Sequence, residues 1–247
     1  MRRRIFPSRR HALAGGLGLL CAPTLALAQS AVPVDIELVL AADGSGSIDD
    51  DELRLQRDGY AEALASPEVL SVIRSGLHGT MAVAYMEWGG PQSQHVIVDW
   101  QLVKDEASAR EFGDKLRSRP RAARGWNSIS AAIDFSVTMI ETNAYRGLKR
   151  VIDVSGDGPH MGGRPVEAAR DDAVAKGITI NALAIVRPGG SFRGPGGQSL
   201  PDHYRDAVIG GPGAFVEIAD QNRSFAEAVR RKMRVEIALG STAGNPT

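Results

Sequence analysis

Three segments of this sequence are predominantly apolar, and segments with helical periodicity lie between them. They cover residues 36–41, 151–154 and 178–186. Strands buried on both faces are typical of parallel sheets that helices cover on both sides, because half-buried strands alternate polar and apolar residues instead. We therefore predict an α/β fold with a mostly parallel central sheet and helices on both of its faces.

A predicted hairpin adds one antiparallel strand at an edge of this sheet. Residues 80–87 and 95–100 have strand character, and a Gly-Gly-Pro turn separates them. Helices are predicted for 50–64, 104–116, 128–142 and 165–176, and a last amphipathic helix follows the Ser224–Glu227 capping box. We predict one domain over residues 34–240, then a short tail at 241–247. The Gly- and Pro-rich stretch 187–201 is predicted to be a loop.

The first 28 residues have the composition of an export signal. Five arginines and no acidic residue precede an apolar stretch at residues 12–28. Ala26-Leu27-Ala28, at the end of this stretch, fits a small-residue cleavage site. The apolar stretch is short and contains several glycines, which disfavours a retained membrane span. We expect an exported protein, periplasmic or secreted, without stable membrane insertion after removal of the signal.

Charge and cysteine content exclude several functional classes. Without the five signal arginines, the 29 basic residues fall to 24 against 29 acidic residues, so the mature chain carries about −5. That balance argues against nucleic acid as the main partner. The only cysteine, Cys21, lies within the signal, so the mature chain has no disulfide, thiol nucleophile or cysteine-based zinc site.

The most specific motif is Asp43-Gly-Ser45-Gly-Ser47, which directly follows the first apolar strand. Its carboxylate and two hydroxyls alternate along a tight turn, so all three side chains can point into one small volume. Oxygen ligands of this kind suit Mg²⁺, Mn²⁺ or Ca²⁺. The alternative is a strand-to-helix turn in which Ser47 or Asp49 caps the next helix.

A second acidic turn strengthens the metal hypothesis. Asp157 lies in Ser155-Gly-Asp-Gly158, after another apolar strand, and ligands of open parallel sheets bind beyond the carboxyl ends of the strands. Two carboxylates that converge there would repel each other unless a cation lay between them. The polar turn around Asn127, which opens a helix, is a third candidate element.

These elements, in this order, resemble the von Willebrand factor type A domain. The resemblance implies a metal-ion-dependent adhesion site built by Asp43, Ser45, Ser47 and Asp157, with a Thr between them in the chain. Asn127 stands where that family carries Thr, and Ser128 is one residue off. More narrowly, the chain looks like an uncharacterised bacterial group of exported proteins with such a domain, which implies no activity.

In such a site, as the resemblance implies, a Mg²⁺-class ion leaves one position open for an Asp or Glu of a partner protein. The expected function is therefore cation-dependent protein binding and not catalysis. Two alternatives remain: a metal-dependent hydrolase, for instance of phosphoesters, with Asp49 or His160 as the general base, and a structural domain with a degenerate site. Trp126 is expected to pack its own loop, with an exposed contact residue as the alternative. Asp153 is expected to face a sheet edge or to pair with Arg150.

Overall fold

A computed structural model describes residues 31–187, 195–220 and 224–241 of the chain. The described residues contain a six-stranded sheet with the strand order β3-β2-β1-β4-β5-β6. Its strands are β1 (Val32–Asp43), β2 (Met81–Trp88), β3 (Gln94–Val103), β4 (Tyr145–Gly156), β5 (Thr179–Ile185) and β6 (Val216–Ala219). The predicted signal (1–28) and residues 242–247 of the predicted tail lie outside the described ranges.

The sheet confirms the predicted α/β fold class. All strand pairs are parallel except β2 with β3, which are antiparallel and form the predicted hairpin at one edge. Strand β1 lies between β2 and β4, so successive strands are added on opposite sides of it. This reversal is the topological switch point at which open α/β sheets bind their ligands.

Helices lie along both faces of the sheet. They are α1 (Asp50–Leu64), α2 (Pro67–Arg74), α3 (Glu106–Ser118), α4 (Ile129–Thr142), α5 (Val166–Ala175), α6 (Leu200–His203) and α7 (Phe225–Ser241), and a π-helical turn covers Tyr204–Val208. One buried cluster joins the sheet to α1, α2, α3 and α7, and the other joins it to α4, α5 and the segment from Leu200 to Val208. No helix within the described ranges is both long enough and apolar enough to span a bilayer.

Two boundaries differ from the sequence predictions for a physical reason. Strand β4 begins at Tyr145, although only 151–154 was predicted, because its first six residues pair with β1 at the exposed end of the sheet. Those residues alternate between partial burial and exposure, so no continuous apolar run marks them. The predicted loop 187–201 ends earlier, at Ser199, whose side chain caps α6; residues 188–194 lie outside the described ranges.

A buried ionic cluster attaches α7 to the sheet. The Lys232 ammonium lies 2.7 Å from a carboxylate oxygen of Asp153 on β4 and also contacts Glu236 one turn later. Asn181 on β5 donates a hydrogen bond of 2.9 Å to Glu236. The expected pairing of Asp153 with Arg150 is therefore wrong: Asp153 is 1% exposed in the middle of the sheet, and its cation comes from the last helix.

In this cluster two buried carboxylates, Asp153 and Glu236, share the single cation of Lys232, and protonation of Asp153 is therefore favourable. Burial, opposed by Lys232 and reinforced by Glu236, raises the pKa of Asp153 from 3.8 to about 7. At pH values between these two pKa values, Asp153 keeps its proton in the folded protein and loses it in the unfolded chain. Stability therefore falls as the pH rises through this window, by up to about 1.4 kcal/mol per pH unit.

Replacing Asp153 by Asn is expected to remove this pH dependence. The amide keeps an oxygen for Lys232 but cannot ionise, so the variant should gain about 2 kcal/mol relative to the wild type between pH 5 and pH 7. Urea unfolding of both proteins at pH 5, 6, 7 and 8 measures the difference, in which all other titrations cancel. If the free energies of unfolding of the two proteins changed with pH in the same way, Asp153 would not ionise in this range and the prediction would be wrong.

Candidate metal centre

The adjacency of β1 and β4 brings together two acidic turns that are distant in sequence. Asp43 is the last residue of β1, and Asp157 follows directly after β4. Both residues are buried, with 0% of the residue surface exposed for Asp43 and 3% for Asp157. The carboxyl ends of parallel neighbours meet at the same edge of a sheet, which explains why these two acids are close in space although 113 residues lie between them in the chain.

Hydrogen bonds join the first motif to the second acidic turn. The Ser45 backbone N–H donates to the Asp43 carboxylate at 2.8 Å, which closes the tight turn. The Ser45 and Ser47 hydroxyls lie 3.1 Å apart, and the Ser47 hydroxyl donates to Asp157 Oδ1 at 2.9 Å. The alternating positions therefore place their oxygens in one volume between the two carboxylates.

The third predicted element also reaches this volume, and the structure distinguishes its two candidates. The Asn127 side chain is 5% exposed, with its amide nitrogen 3.5 Å from Asp43 Oδ2. Rotation of this amide by half a turn would present its oxygen there instead. The Ser128 hydroxyl donates to the Gly162 carbonyl at 2.6 Å, so it holds the neighbouring loop and does not face the carboxylates.

Two glycines provide the space for this arrangement. A Cβ atom on Gly156 would lie 3.1 Å from Asp43 Oδ2 and 2.6 Å from the Tyr204 hydroxyl. A Cβ atom on Gly158 would lie 2.4 Å from the Asn127 amide nitrogen. Any larger residue at either position would displace a candidate ligand, so the Gly-Asp-Gly sequence of the second turn is a packing requirement of the site.

The electrostatics of the pair favour a cation. Burial, followed by the charge of Asp157, raises the pKa of Asp43 from 3.8 to about 7, although hydrogen bonds from Ser45 oppose this shift. Two buried carboxylates with hydroxyl and amide oxygens around them are a hard, all-oxygen donor set. The residues present therefore fit a Mg²⁺-class ion. Groups of three or more His, Cys, Asp or Glu suited to a metal do not occur among the described residues, so such an ion would depend on the hydroxyls.

A basic residue that the sequence analysis did not single out lies at the same site. Arg187 follows β5 by two residues, and its Nη2 atom is 2.8 Å from Asp157 Oδ2, 2.8 Å from the Ser47 carbonyl oxygen and 2.8 Å from Glu52. Only its position after a predicted strand could have indicated this contact. Strand β5 is the parallel neighbour of β4, so a residue just beyond the end of β5 lies next to Asp157.

The two residues proposed as a general base have other partners. The Asp49 carboxylate accepts the Glu52 backbone N–H at 2.8 Å, and Glu52 accepts the Asp49 N–H at 2.9 Å, which completes a capping box at the start of α1. The His160 ring nitrogen Nε2 lies 3.0 Å from the Arg164 carbonyl oxygen. Neither contact orients a base towards Asp43 or Asp157.

Of the two interpretations of Trp126, the expected packing of its own loop is wrong, and the exposed alternative agrees with the structure. Its side chain is 73% exposed, directly before Asn127 in the chain. Met161, which is 57% exposed, lies on the adjoining loop, where its backbone N–H donates to the Asn127 carbonyl at 2.8 Å. Two large apolar side chains therefore stand exposed beside the candidate metal centre.

Comparison with solved structures identifies the fold. The chain is similar to a von Willebrand factor type A protein from Catenulispora acidiphila (17% identity, TM-score 0.56), covering 84% of this chain and 43% of that one. It is similar to proximal thread matrix protein 1 of the mussel byssus (14% identity, TM-score 0.57), covering 85% of this chain and 49% of that one. It is also similar to the von Willebrand factor domain of the type V pili tip protein Mfa5 from Porphyromonas gingivalis (11% identity, TM-score 0.56), covering 88% of this chain and 99% of that one.

These similarities and the sheet topology define the class of fold: the protein has a von Willebrand factor type A-like fold. The chain spans about half the length, or less, of the mussel and Catenulispora chains. Residues 33–241 match the model of one family, and the chain belongs to that family, which is described as a protein of unknown function (DUF1194). A search of curated proteins found no match.

Proposed function

We propose that this protein binds another protein through a divalent cation held by Asp43, Ser45, Ser47, Asn127 and Asp157. The observation that most supports this proposal is the hydrogen bond of 2.9 Å from the Ser47 hydroxyl to Asp157, which joins the two acidic turns around one buried volume. When bound, a Mg²⁺-class ion would supply an electrophilic position for a carboxylate of the partner. Mg²⁺ is the first choice of cation, with Mn²⁺ or Ca²⁺ as alternatives.

The surroundings of the site support a protein partner. Exposed Trp126 and Met161 offer apolar contact area beside it, and aromatic residues and Met are enriched where proteins bind each other. A partner that presents an Asp or Glu would meet a cation when the site is loaded and two carboxylates when it is not. Binding should therefore depend on the cation.

The structural neighbours support adhesion or assembly more than catalysis. One described structure of the mussel byssus protein has a zinc-occupied metal-ion-dependent adhesion motif, and the Porphyromonas protein is a pilus tip component. A role outside the cytoplasm agrees with these neighbours and with the predicted signal. The zinc in the mussel protein is a reason to include Zn²⁺ in any titration of this chain.

The proposed function is tested by affinity capture from the exported fraction of the source cells. The bait is the purified protein, in buffer with Mg²⁺, with a chelator, and with Mn²⁺ added after the chelator. We expect one defined protein to be retained with Mg²⁺, lost with the chelator and restored by Mn²⁺. A Trp126→Ala bait should retain its cation but at least about tenfold less partner, as is usual for an aromatic hot spot.

The same experiment separates the alternatives. Retention of the partner that is undiminished by the chelator contradicts a cation-bridged contact. A protein that binds no cation in calorimetric titration with Mg²⁺, Mn²⁺, Ca²⁺ and Zn²⁺ is a structural domain with a degenerate site. Cation-dependent hydrolysis of a generic phosphoester such as p-nitrophenyl phosphate, abolished by Asp43→Ala, would favour the hydrolase.

A further inference from the structure

We infer that Arg187 is a built-in competitor of the divalent cation and sets the affinity of the metal centre. The inference rests on the proposed metal site and adds a residue that restrains it. Its guanidinium approaches Asp157 from the end of β5, at 2.8 Å from Oδ2. The other oxygen of the same carboxylate accepts the Ser47 hydroxyl at 2.9 Å, so each oxygen of Asp157 has a close polar or charged neighbour without any added ion.

The position of Arg187 makes competition with the cation unavoidable. Asp157 has no exposed side-chain surface, whereas the Arg187 side chain is 32% exposed, so the guanidinium reaches the site from the solvent side. Its charge neutralises Asp157 and repels any second positive charge placed between Asp157 and Asp43. Repulsion between a guanidinium and a dication a few ångströms apart is large near a protein surface.

The contacts of Arg187 are those of a displaceable cation. One nitrogen, Nη2, serves all three acceptors, which are Asp157, Glu52 and the Ser47 carbonyl. The Nε atom is buried without a hydrogen-bond partner, and the contact with Asp157 Oδ2 is close in distance but not aligned as a hydrogen bond. A guanidinium used for fixed architecture usually binds a carboxylate through two parallel hydrogen bonds.

Displacement would leave Arg187 with an alternative anchor. Glu52 lies in the first turn of α1, beside the Ser47 loop, and its side chain is 36% exposed. An arginine that releases Asp157 can therefore keep its contact with Glu52. The metal centre has in this way two charge-balanced states: Asp157 paired with Arg187, or Asp157 facing a divalent cation while Arg187 remains with Glu52.

The test is calorimetric titration of Mg²⁺ and Mn²⁺ into the wild-type protein, Arg187→Gln and Arg187→Lys. We expect Arg187→Gln to bind each cation about tenfold or more tightly, since it removes one opposing charge. Arg187→Lys keeps the charge and should stay within about threefold of the wild type. Arg110→Gln, which removes an exposed arginine paired with Glu106 on α3 and away from the metal centre, is the control and should change nothing.

A second measurement separates competition from a structural role. In chelator, Arg187→Gln should melt below the wild type, because Asp157 loses its partner, and saturating Mg²⁺ should close the gap. A deficit that persists in Mg²⁺, or an affinity equal to or weaker than that of the wild type, overturns the inference and makes Arg187 a positioning residue. If the wild type binds Mg²⁺ and Arg187→Gln does not gain, only this inference fails; if neither binds, the proposed function fails with it.

Discussion

Replacing Asp43 by Ala is expected to weaken the binding of Mg²⁺ and Mn²⁺ by at least about a hundredfold, because it removes one of two carboxylates that face a dication in a buried site. The loss should be larger than that of Ser45→Ala or Ser47→Ala, which each remove a neutral oxygen. Calorimetric titration at pH 8, where Asp43 is ionised, measures the affinities. Circular dichroism confirms that each variant is folded.

The matched control for Asp43→Ala is Asp153→Asn. Both residues are buried acids on neighbouring strands of the sheet, but Asp153 is paired with Lys232 and takes no part in the candidate centre. The Asp153→Asn variant should bind Mg²⁺ with the same affinity as the wild type. A folded Asp43→Ala protein with unchanged affinity would place the cation elsewhere and would end the proposed function.

The same acid that serves the cation should destabilise the protein without it. Asp43 is completely buried and faces Asp157, so its charge is opposed by burial and by a like charge. In chelator we therefore expect Asp43→Asn to be at least as stable as the wild type at pH 8, and saturating Mg²⁺ to stabilise only the wild type.

The second large effect is expected from the buried cluster beneath α7. Lys232→Met keeps the length of the side chain but leaves Asp153 and Glu236 without their cation, in the interior of the molecule. Removal of one partner from a buried ionic group costs about 3–5 kcal/mol, because an uncompensated charge remains. Urea unfolding at pH 8 measures this loss, since Asp153 of the wild type is largely ionised above its pKa of about 7.

A double-mutant cycle distinguishes this electrostatic cost from lost packing. In the Asp153→Asn background, Lys232→Met leaves only Glu236 uncompensated, so we expect it to cost at least about 1 kcal/mol less than in the wild type. Equal costs in both backgrounds would show that Lys232 acts through contacts other than Asp153, such as its ammonium 5.5 Å from the centre of the Phe215 ring. A loss below about 1 kcal/mol in the wild type would contradict the cluster as an anchor of α7.

Features encoded by local pattern were predictable from the sequence. Helix α1 begins and ends at the predicted residues, because Asp49 and Glu52 form a capping box and an apolar face repeats through Leu53, Tyr60 and Leu64. The antiparallel edge and the parallel strands were likewise predictable, since the burial of a strand fixes its apolar pattern. Strand β4 was predicted too short, because its first half pairs at the exposed end of the sheet.

The candidate centre was predictable only in part. The two glycine-flanked acidic turns could be recognised because each follows an apolar strand, and a parallel sheet aligns such strand ends. The choice between Asn127 and Ser128 needed coordinates, since both lie in one short turn and only the fold directs one side chain to Asp43 and the other to Gly162. Whether these residues hold an ion is a prediction that the titrations above test.

Sequence by itself therefore determined the fold class and the alternating oxygens after β1, because burial and turn geometry act between near neighbours in the chain. Only the tertiary structure decided which charges meet: Arg187 with Asp157, and Lys232 with Asp153. These partners are 30 and 79 positions apart in the chain. Their pairing depends on strand order and helix docking, which no local pattern of residues specifies.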